Sequence, residues 1–299
     1  MSRSANVTVN VHHITRVEGH GNIRINVKDG RLEECKLEIV ESPRFFEAML
    51  KGRPYCEAHH ISCRICGICS VGHTCASIQA SEAALGVTPT EQTTRLRKIC
   101  LHGETLQSHV LHAYYLAAPD FFGVGSVLPL AVSHLPVVQR ALRLKKLAND
   151  LCAAVAGRHV HPVSMAVGGF TNVPDLNRLK EAQQRLIAAR EDLRETVELF
   201  KSVRDKIPAF DRPTEYISLT RDDEYAFLNG DILSSDAGRV PVGEYLKMTN
   251  EFIVPHSSAK HTKAKRDSFM VGALARFNNN HARLRPEAKQ AAAALGLRA

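Results

Sequence analysis

The 299-residue chain contains no tryptophan, and aromatic residues make up only 6% of it. Hydrophobic residues, at 44%, are nevertheless ample for a core, and the length allows one large domain or two smaller ones. No apolar run approaches the ~20 residues needed to span a bilayer, which excludes a helical membrane protein. No apolar h-region follows Met1-Ser2-Arg3-Ser4-Ala5-Asn6, so no signal peptide is expected. These absences predict a soluble, cytoplasmic protein. The formal net charge is +8, but the basic residues are scattered. Only Lys260, Lys263, Lys265 and Arg266 cluster, too few for a nucleic-acid surface. The charge reads as solvated surface, or as a face for an acidic partner. No C-x-x-C motif occurs outside residues 63–69, and no cysteine follows Cys152.

What the chain does have is one segment dense in soft ligands, Cys63-Arg64-Ile65-Cys66-Gly67-Ile68-Cys69-Ser70-Val71-Gly72-His73. A two-residue gap lets the sulfurs of Cys66 and Cys69 reach one metal. Gly67 is expected to permit a sharp bend between them, and Arg64 to favour thiolate over thiol. A zinc site could use Cys66, Cys69, His73 and one of Cys63 or Cys75, but zinc motifs usually draw a second ligand pair from a distant knuckle. An iron–sulfur run fits poorly, because five residues separate Cys69 from Cys75 and Ala76 follows. The segment before the motif does not read as the buried strand of a thioredoxin-type unit, and Ser70 stands where covalent haem needs histidine. Cys35, Cys75, Cys100 and Cys152 suit small buried cysteines.

Around this segment the patterning predicts an α+β fold, mainly α. It comprises a long-helix bundle, a small amino-terminal antiparallel sheet and a short β/loop excursion near 208–262. Val7, Val9 and Val11 alternate with polar residues, as do Ile23, Ile25 and Val27, and Asp29-Gly30 turns the chain into a third strand. Helices are expected over about 44–52 and 70–85, the second stopped by Gly86. Thr88-Pro89-Thr90-Glu91 reads as a helix start with Thr88 as cap. Leu96, Ile99, Gly103, Leu106, Val110, Ala113 and Ala117 predict one buried stripe, with Gly103 marking a close helix crossing. His102, His109 and His112 read as packing or surface residues. A further helix spans about 136–156 and ends at Gly157. Another runs from Pro174 to about Val203, with Leu179, Leu186, Leu193 and Phe200 at heptad spacing, as in an antiparallel pair within a bundle. Helix returns over 267–297, broken near Asn278-Asn279-Asn280. The expected organisation is a single domain with parts at 1–42 (sheet), 43–207 (bundle bearing the cysteine motif), 208–262 (excursion) and 263–299 (helical).

Arg64-Ile65-Cys66-Gly67-Ile68-Cys69-Ser70-Val71-Gly72-His73 resembles the R-x-C-G-x-C-x-x-x-H signature of the nickel–iron hydrogenase large subunit. Four further segments resemble the family's motifs in order. They are Arg16-Val17-Glu18-Gly19-His20, Glu47-Ala48-Met49-Leu50-Lys51-Gly52-Arg53, Gly157-Arg158-His159-Val160-His161-Pro162 with Gly168-Gly169, and Gly272-Ala273-Leu274-Ala275-Arg276. His256-Ser257-Ser258-Ala259-Lys260 resembles one more, of open role. The flavour is similar to the cytosolic branch linked to deazaflavin, NAD or heterodisulfide reductase partners.

The resemblance implies an enzyme that splits hydrogen heterolytically at a Ni-Fe centre. Cys66 would be a terminal nickel ligand and Cys69 would bridge nickel and iron, since thiolates suit soft, redox-active ions. His73 would donate a hydrogen bond to a bridging sulfur, with Arg64 close by. Glu18 would carry protons and Glu47 would hold a magnesium or similar hard ion. His161 would donate a hydrogen bond near the active site or serve as a structural loop histidine. Electrons would leave through Fe-S clusters in a separate small subunit toward downstream acceptor subunits. The family's closing D-P-C-x-x-C-x-x-H motif has no counterpart here, so the chain is expected to be an amino-terminal piece of such a large subunit. The alternatives are a non-catalytic scaffold or assembly subunit, and a zinc-stabilised interaction module.

Overall fold

The computed structural model describes residues 6–208 and 210–297. In chain order the elements are β1 Val7–Val11, β2 Gly21–Lys28, β3 Arg31–Ile39, α1 Pro43–Leu50, α2 Tyr55–Ser62, α3 Ser70–Leu85 and α4 Glu91–Val110. A π-helical turn, Leu111–Ala117, leads into α5 Ala118–Phe121. Then come α6 Val127–Ser133, α7 Leu135–Ala156, β4 Met165–Ala166, β5 Gly169–Phe170, α8 Leu176–Ala188 and α9 Arg190–Ser202. The remainder is β6 Glu215–Thr220, β7 Asp231–Ser234, β8 Gly238–Val240, α10 Tyr245–Met248, β9 Asn250–Phe252, β10 His261–Lys263, β11 Phe269–Met270, α11 Ala273–Asn280 and α12 Pro286–Ala294. No helix among the described residues is long and apolar enough to cross a membrane.

Two compact units emerge. The first holds β1–β3 and α1, up to Arg53, together with Thr249–Lys263. Its sheet is antiparallel in the order β1-β2-β3, with Val9 opposite Ile25 and Ile25 opposite Cys35. The alternation is a strand pattern, but Val7, Val9 and Val11 are all exposed, and Cys35 is exposed too, not a buried cysteine. The segment carrying Lys260 is tied to the end of β3. Ser257 Oγ accepts from Ile39 N–H at 3.2 Å, and Ser258 Oγ donates to Ile39 C=O at 2.7 Å.

The second unit spans Pro54–Met248 and continues from Ala264. Its main core joins Val71, Cys75 and Ile78 of α3 to Cys100 of α4 and to Cys152, Val155 and Ala156 of α7. Gly86 and Gly157 end α3 and α7 in the left-handed region (φ 67° and 78°), where glycine carries no Cβ penalty. At Gly103, α4 passes close to α7: a Cβ there would lie 2.8 Å from Cys152 Sγ.

Four expectations need correction. Thr90, not Thr88, caps α4: its Oγ1 accepts from Thr93 N–H at 3.2 Å. The buried face of α4 is Thr93, Arg97, Cys100, Gly103, Glu104, Gln107 and Val110, while Ile99 is exposed. The stretch 174–203 is two helices meeting at Ala189, where both follow α7. Arg185 pairs with Asp150, Asp192 with Arg143 and Glu195 with Arg140. The numbers fall on α7 as they rise on α8 and α9, so the pairing is antiparallel. The carboxyl-terminal helical region breaks at 281–285, not at 278–280, because Asn279 and Asn280 belong to α11 and their amides bond the backbone of β6 and β7.

Candidate metal centre

The cysteine segment lies between α2 and α3. Cys66 is extended (φ −148°, ψ 131°) and buried, and Cys69 sits at the N-cap of α3, exposed. The backbone N–H of Cys69 donates to Cys66 Sγ at 3.3 Å, so the turn that brings the two residues together also places a donor on the first sulfur. Gly67 does not take a left-handed conformation. A Cβ there would meet Val160 Cγ1 at an ordinary 3.6 Å, so the bend does not depend on glycine's freedom.

Three other cysteines of this unit's interior, Cys63, Cys75 and Cys100, are thiols by environment. Cys63 Sγ donates to His60 C=O at 3.2 Å, and burial pushes its thiol up despite the nearby charges of Arg64 and Arg158. Burial pushes Cys75 up to about 12. A hydrogen bond with Cys152, then burial, raises Cys100. Arg64 itself is exposed, and its field falls on Cys63. His73 lies one turn into α3, half-buried, with its N–H on Cys69 C=O at 3.2 Å.

His161 reaches this segment from the loop after α7. Its N–H donates to Ser70 Oγ at 2.9 Å, and Ser70 Oγ donates to Gly67 C=O at 3.3 Å. Its Nδ1 lies 2.9 Å from Cys63 C=O. A carbonyl only accepts, so Nδ1 carries the proton. His161 holds a positive φ of 54° to make these contacts. It therefore ties the loop to the backbone of the motif, not to a sulfur.

Two residues that hydropathy patterning does not single out hold α3 from the side of α4. The Glu104 carboxylate accepts Val71 N–H at 2.5 Å and Gly72 N–H at 2.8 Å. Gln107 donates to Ile68 C=O at 2.7 Å and accepts from Lys145. Burial raises Glu104 to about 7, with the two backbone donors pulling the other way. Deeper on α3, Glu82 and Arg97 form a two-pronged pair (2.6 and 2.9 Å). Arg97 also bonds Ala166 C=O, and Glu82 accepts Gly168 N–H at 2.7 Å. A signal existed: Arg97, Glu104 and Gln107 recur at helical spacing on a face that also carries Cys100 and Gly103.

Glu18 and Glu47 belong to the first unit. Glu18 is exposed on the connection between β1 and β2. Glu47, on α1, is ion-paired at 2.7 Å with Lys260, whose Nζ also lies 2.9 Å from Glu251. Two carboxylates thus share one cation, the Lys260 ammonium.

Among the described residues no three His, Cys, Asp or Glu side chains are grouped to hold a metal ion. Cys66 and Cys69 offer two soft donors, which suits half of a thiolate-rich site.

The fold is that of hydrogenase large subunits. It superposes on an NAD+-reducing nickel–iron hydrogenase in its H2-reduced state with a TM-score of 0.82 at 28% identity, over 91% of this chain and 66% of that one. The fold is shared with the Dm. baculatum NiFeSe hydrogenase (TM-score 0.74, 22% identity, 97% of this chain and 71% of that one). The Nickel-dependent hydrogenase family matches residues 44–135, and the HoxL-like family matches residues 8–42. The alpha subunit of sulfhydrogenase 1 of Pyrococcus furiosus is 34% identical, over 94% of this chain and 66% of the relative. The vhu subunit of an F420-non-reducing hydrogenase of Methanocaldococcus jannaschii is 31% identical, over 90% and 69%. The chain belongs to the nickel-dependent hydrogenase large-subunit family. It spans about two thirds of the length of these relatives.

Proposed function

We propose that this chain supplies one half of the bimetallic pocket of a nickel–iron hydrogenase that interconverts H2 with protons and electrons. The observation that carries this reading is the pairing of Cys66 and Cys69 across a single turn, with a backbone N–H already aimed at Cys66 Sγ. The chain has homologous alpha subunits among its relatives, and the remaining ligands would come from outside these residues.

When bound, a nickel–iron centre supplies the splitting of H2. Cys66 would hold nickel, and Cys69, exposed at the N-cap of α3, would hold nickel and iron. His73, one turn into α3, would donate a hydrogen bond to a metal-bound sulfur. His161 holds the backbone of Cys63 and Ser70 and so fixes the frame in which the sulfurs sit. Glu18 would accept and pass on protons. Glu47, with Glu251 beside it, would take a magnesium ion in place of the Lys260 ammonium. Electrons would pass to Fe-S clusters in a small partner subunit, then to downstream acceptors. None of the eight cysteines forms a disulfide, which suits a reducing cytoplasmic compartment.

The test is metal analysis of the assembled, purified complex. Nickel should be retained in the unaltered protein and in Cys75→Ala, and lost in Cys66→Ser and Cys69→Ser. Nickel retained by both serine variants, or a well-folded complex without nickel, would refute the reading; the latter would favour a scaffold role.

A further inference from the structure

The segment Gly272–Arg276 has no role in the metal centre proposed above, yet it delivers a charged side chain to a cavity of its own. That cavity, of about 590 Å³, is walled by α4, the loop between β6 and β7, α11 and the start of α12. His102, His109, Tyr225, Phe227, Arg276 and Arg285 line it. Small-molecule sites commonly measure roughly 300–1,000 Å³.

Arg276 is held in place by protein contacts alone. Its guanidinium lies over the Phe227 ring, 5.0 Å from the centroid, a favourable cation–π contact. One of its nitrogens lies 3.4 Å from His109 Nε2. A guanidinium only donates, so the imidazole nitrogen accepts. Tyr225 bonds Arg276 as well. His102 makes a T-shaped contact with Phe227, with 5.0 Å between centroids. The helix behind Arg276 is fixed in turn, because the amides of Asn279 and Asn280 bond the backbone of β6 and β7.

Positive charge is left over at this cavity. The partners of Arg276 are an imidazole, a phenol and a ring, none of them an anion. Burial pulls its guanidinium below the usual arginine range. The carboxylates in the lining are already paired, Asp223 with Arg221 at 2.8 Å and Glu224 with Lys98 at 2.7 Å. Arg283 has Asp222 at 3.7 Å. Arg285, exposed at the N-cap of α12, has no ion pair among the described residues. Two guanidinium groups therefore line the cavity without a matching carboxylate. Ala273, Leu284 and Ala288 add apolar wall.

We propose that this cavity is a binding site for a small organic phosphate, anchored by Arg276 and Arg285. A phosphate monoester carries about −1.5 to −2 charges at neutral pH and three acceptor oxygens; a carboxylate offers less of both. Guanidinium forks grip such oxygens in pairs, and the apolar wall receives the organic body. The site shares no residue with the cysteine segment and does not depend on the hydrogenase reading.

Calorimetric titration of the full chain with phenyl phosphate tests this, with inorganic phosphate, benzoate and phenol as comparison probes. Phenyl phosphate should bind saturably. Inorganic phosphate, without the ring, and benzoate, with the smaller charge, should each bind about tenfold more weakly, and phenol not at all. Arg276→Met should weaken phenyl phosphate by about tenfold or more, because charged hydrogen bonds are lost. Arg276→Lys should restore only part, because the fork is gone. Arg285→Ala, at an exposed position, should weaken it likewise while leaving the thermal melt unchanged. Ala288→Leu, also exposed, narrows the cavity without touching its charge and should weaken phenyl phosphate more than inorganic phosphate. Absence of saturable phenyl phosphate binding overturns the site. Binding that Arg285→Ala and Ala288→Leu both leave undiminished overturns it too, since the anion would then sit elsewhere on this basic chain. Benzoate bound as tightly as phenyl phosphate overturns phosphate as the ligand chemistry.

Discussion

Gly103 offers the sharpest test of the packing that sets α4 in place. Replacing it with alanine adds a Cβ 2.8 Å from Cys152 Sγ, 3.4 Å from Leu151 Cδ2 and 3.5 Å from Ala148 C=O. The first distance is below van der Waals contact and the third is to backbone. Cys152 has little room to yield: it is 1% exposed and its Sγ donates to Cys100 C=O at 3.4 Å. Overpacking of this kind costs about 1–3 kcal/mol. Alanine recovers up to ~1 kcal/mol as the better helix former. Gly103→Ala should therefore lose up to about 2 kcal/mol net, against the gain of ~1 kcal/mol that an open helical site would give. Trimming the obstacle should reverse the sign of the coupling. Cys152→Ala alone leaves a small cavity and costs on the order of 1 kcal/mol, but the double variant should be more stable than the sum of the two losses by about 1 kcal/mol or more. With no tryptophan in the chain, urea midpoints are best followed by far-ultraviolet circular dichroism. A Gly103→Ala protein about 1 kcal/mol more stable than the unaltered one, as at an open helical site, or strictly additive losses, would refute the close crossing.

Arg97→Met should cost about 3–5 kcal/mol, because it strands the Glu82 carboxylate inside the protein. Replacing both residues with apolar ones should recover most of that loss, as read by the same denaturation midpoints. In the unaltered chain, burial alone would raise Glu82, but Arg97 and the Gly168 N–H outweigh it and hold the carboxyl low. The pair thus stabilises above the ordinary carboxylate range and fades as pH falls. Two further groups bend the pH profile in opposite directions. His59, pushed down to about 4 by burial and by His60, is neutral when folded, so stability falls as pH drops from ~6.5 toward 4, by about 3 kcal/mol in all. Glu104, raised to about 7, makes stability fall as pH rises from ~4.5 toward 7 by a similar amount. His59→Asn should flatten the acid limb and Glu104→Gln the neutral one, measured as urea midpoints between pH 4 and 8. Unchanged limbs in both variants would refute the assignments.

Much of this architecture is legible in the chain itself where the information is local. The β1–β2–β3 hairpins follow from alternation and from Asp29-Gly30, and the stops at Gly86 and Gly157 follow from glycine's access to φ > 0. The turn that puts Cys69 N–H on Cys66 Sγ follows from the two-residue gap between the cysteines. What escaped is what depends on partners far away in sequence. Arg97, Glu104 and Gln107 are polar, so hydropathy turns the face of α4 by about one residue and exposes them. They are buried because Glu82, Val71, Gly72 and Ile68 meet them across the fold. No proline or glycine marks the break at Ala189; it falls where α8 and α9 follow α7 through three ion pairs. The capping error is of another kind: Thr88 and Thr90 carry the same hydroxyl, and only the backbone angles decide between them.

The left-handed backbone at His161 carries a consequence of its own. Glycine would sit there with less strain, so a search for sturdier variants would tend to select it. Such a variant would give up the imidazole that tethers the loop to Cys63 and would relax the very frame around the sulfurs. Durability and the order of the pocket are set against each other at this single position.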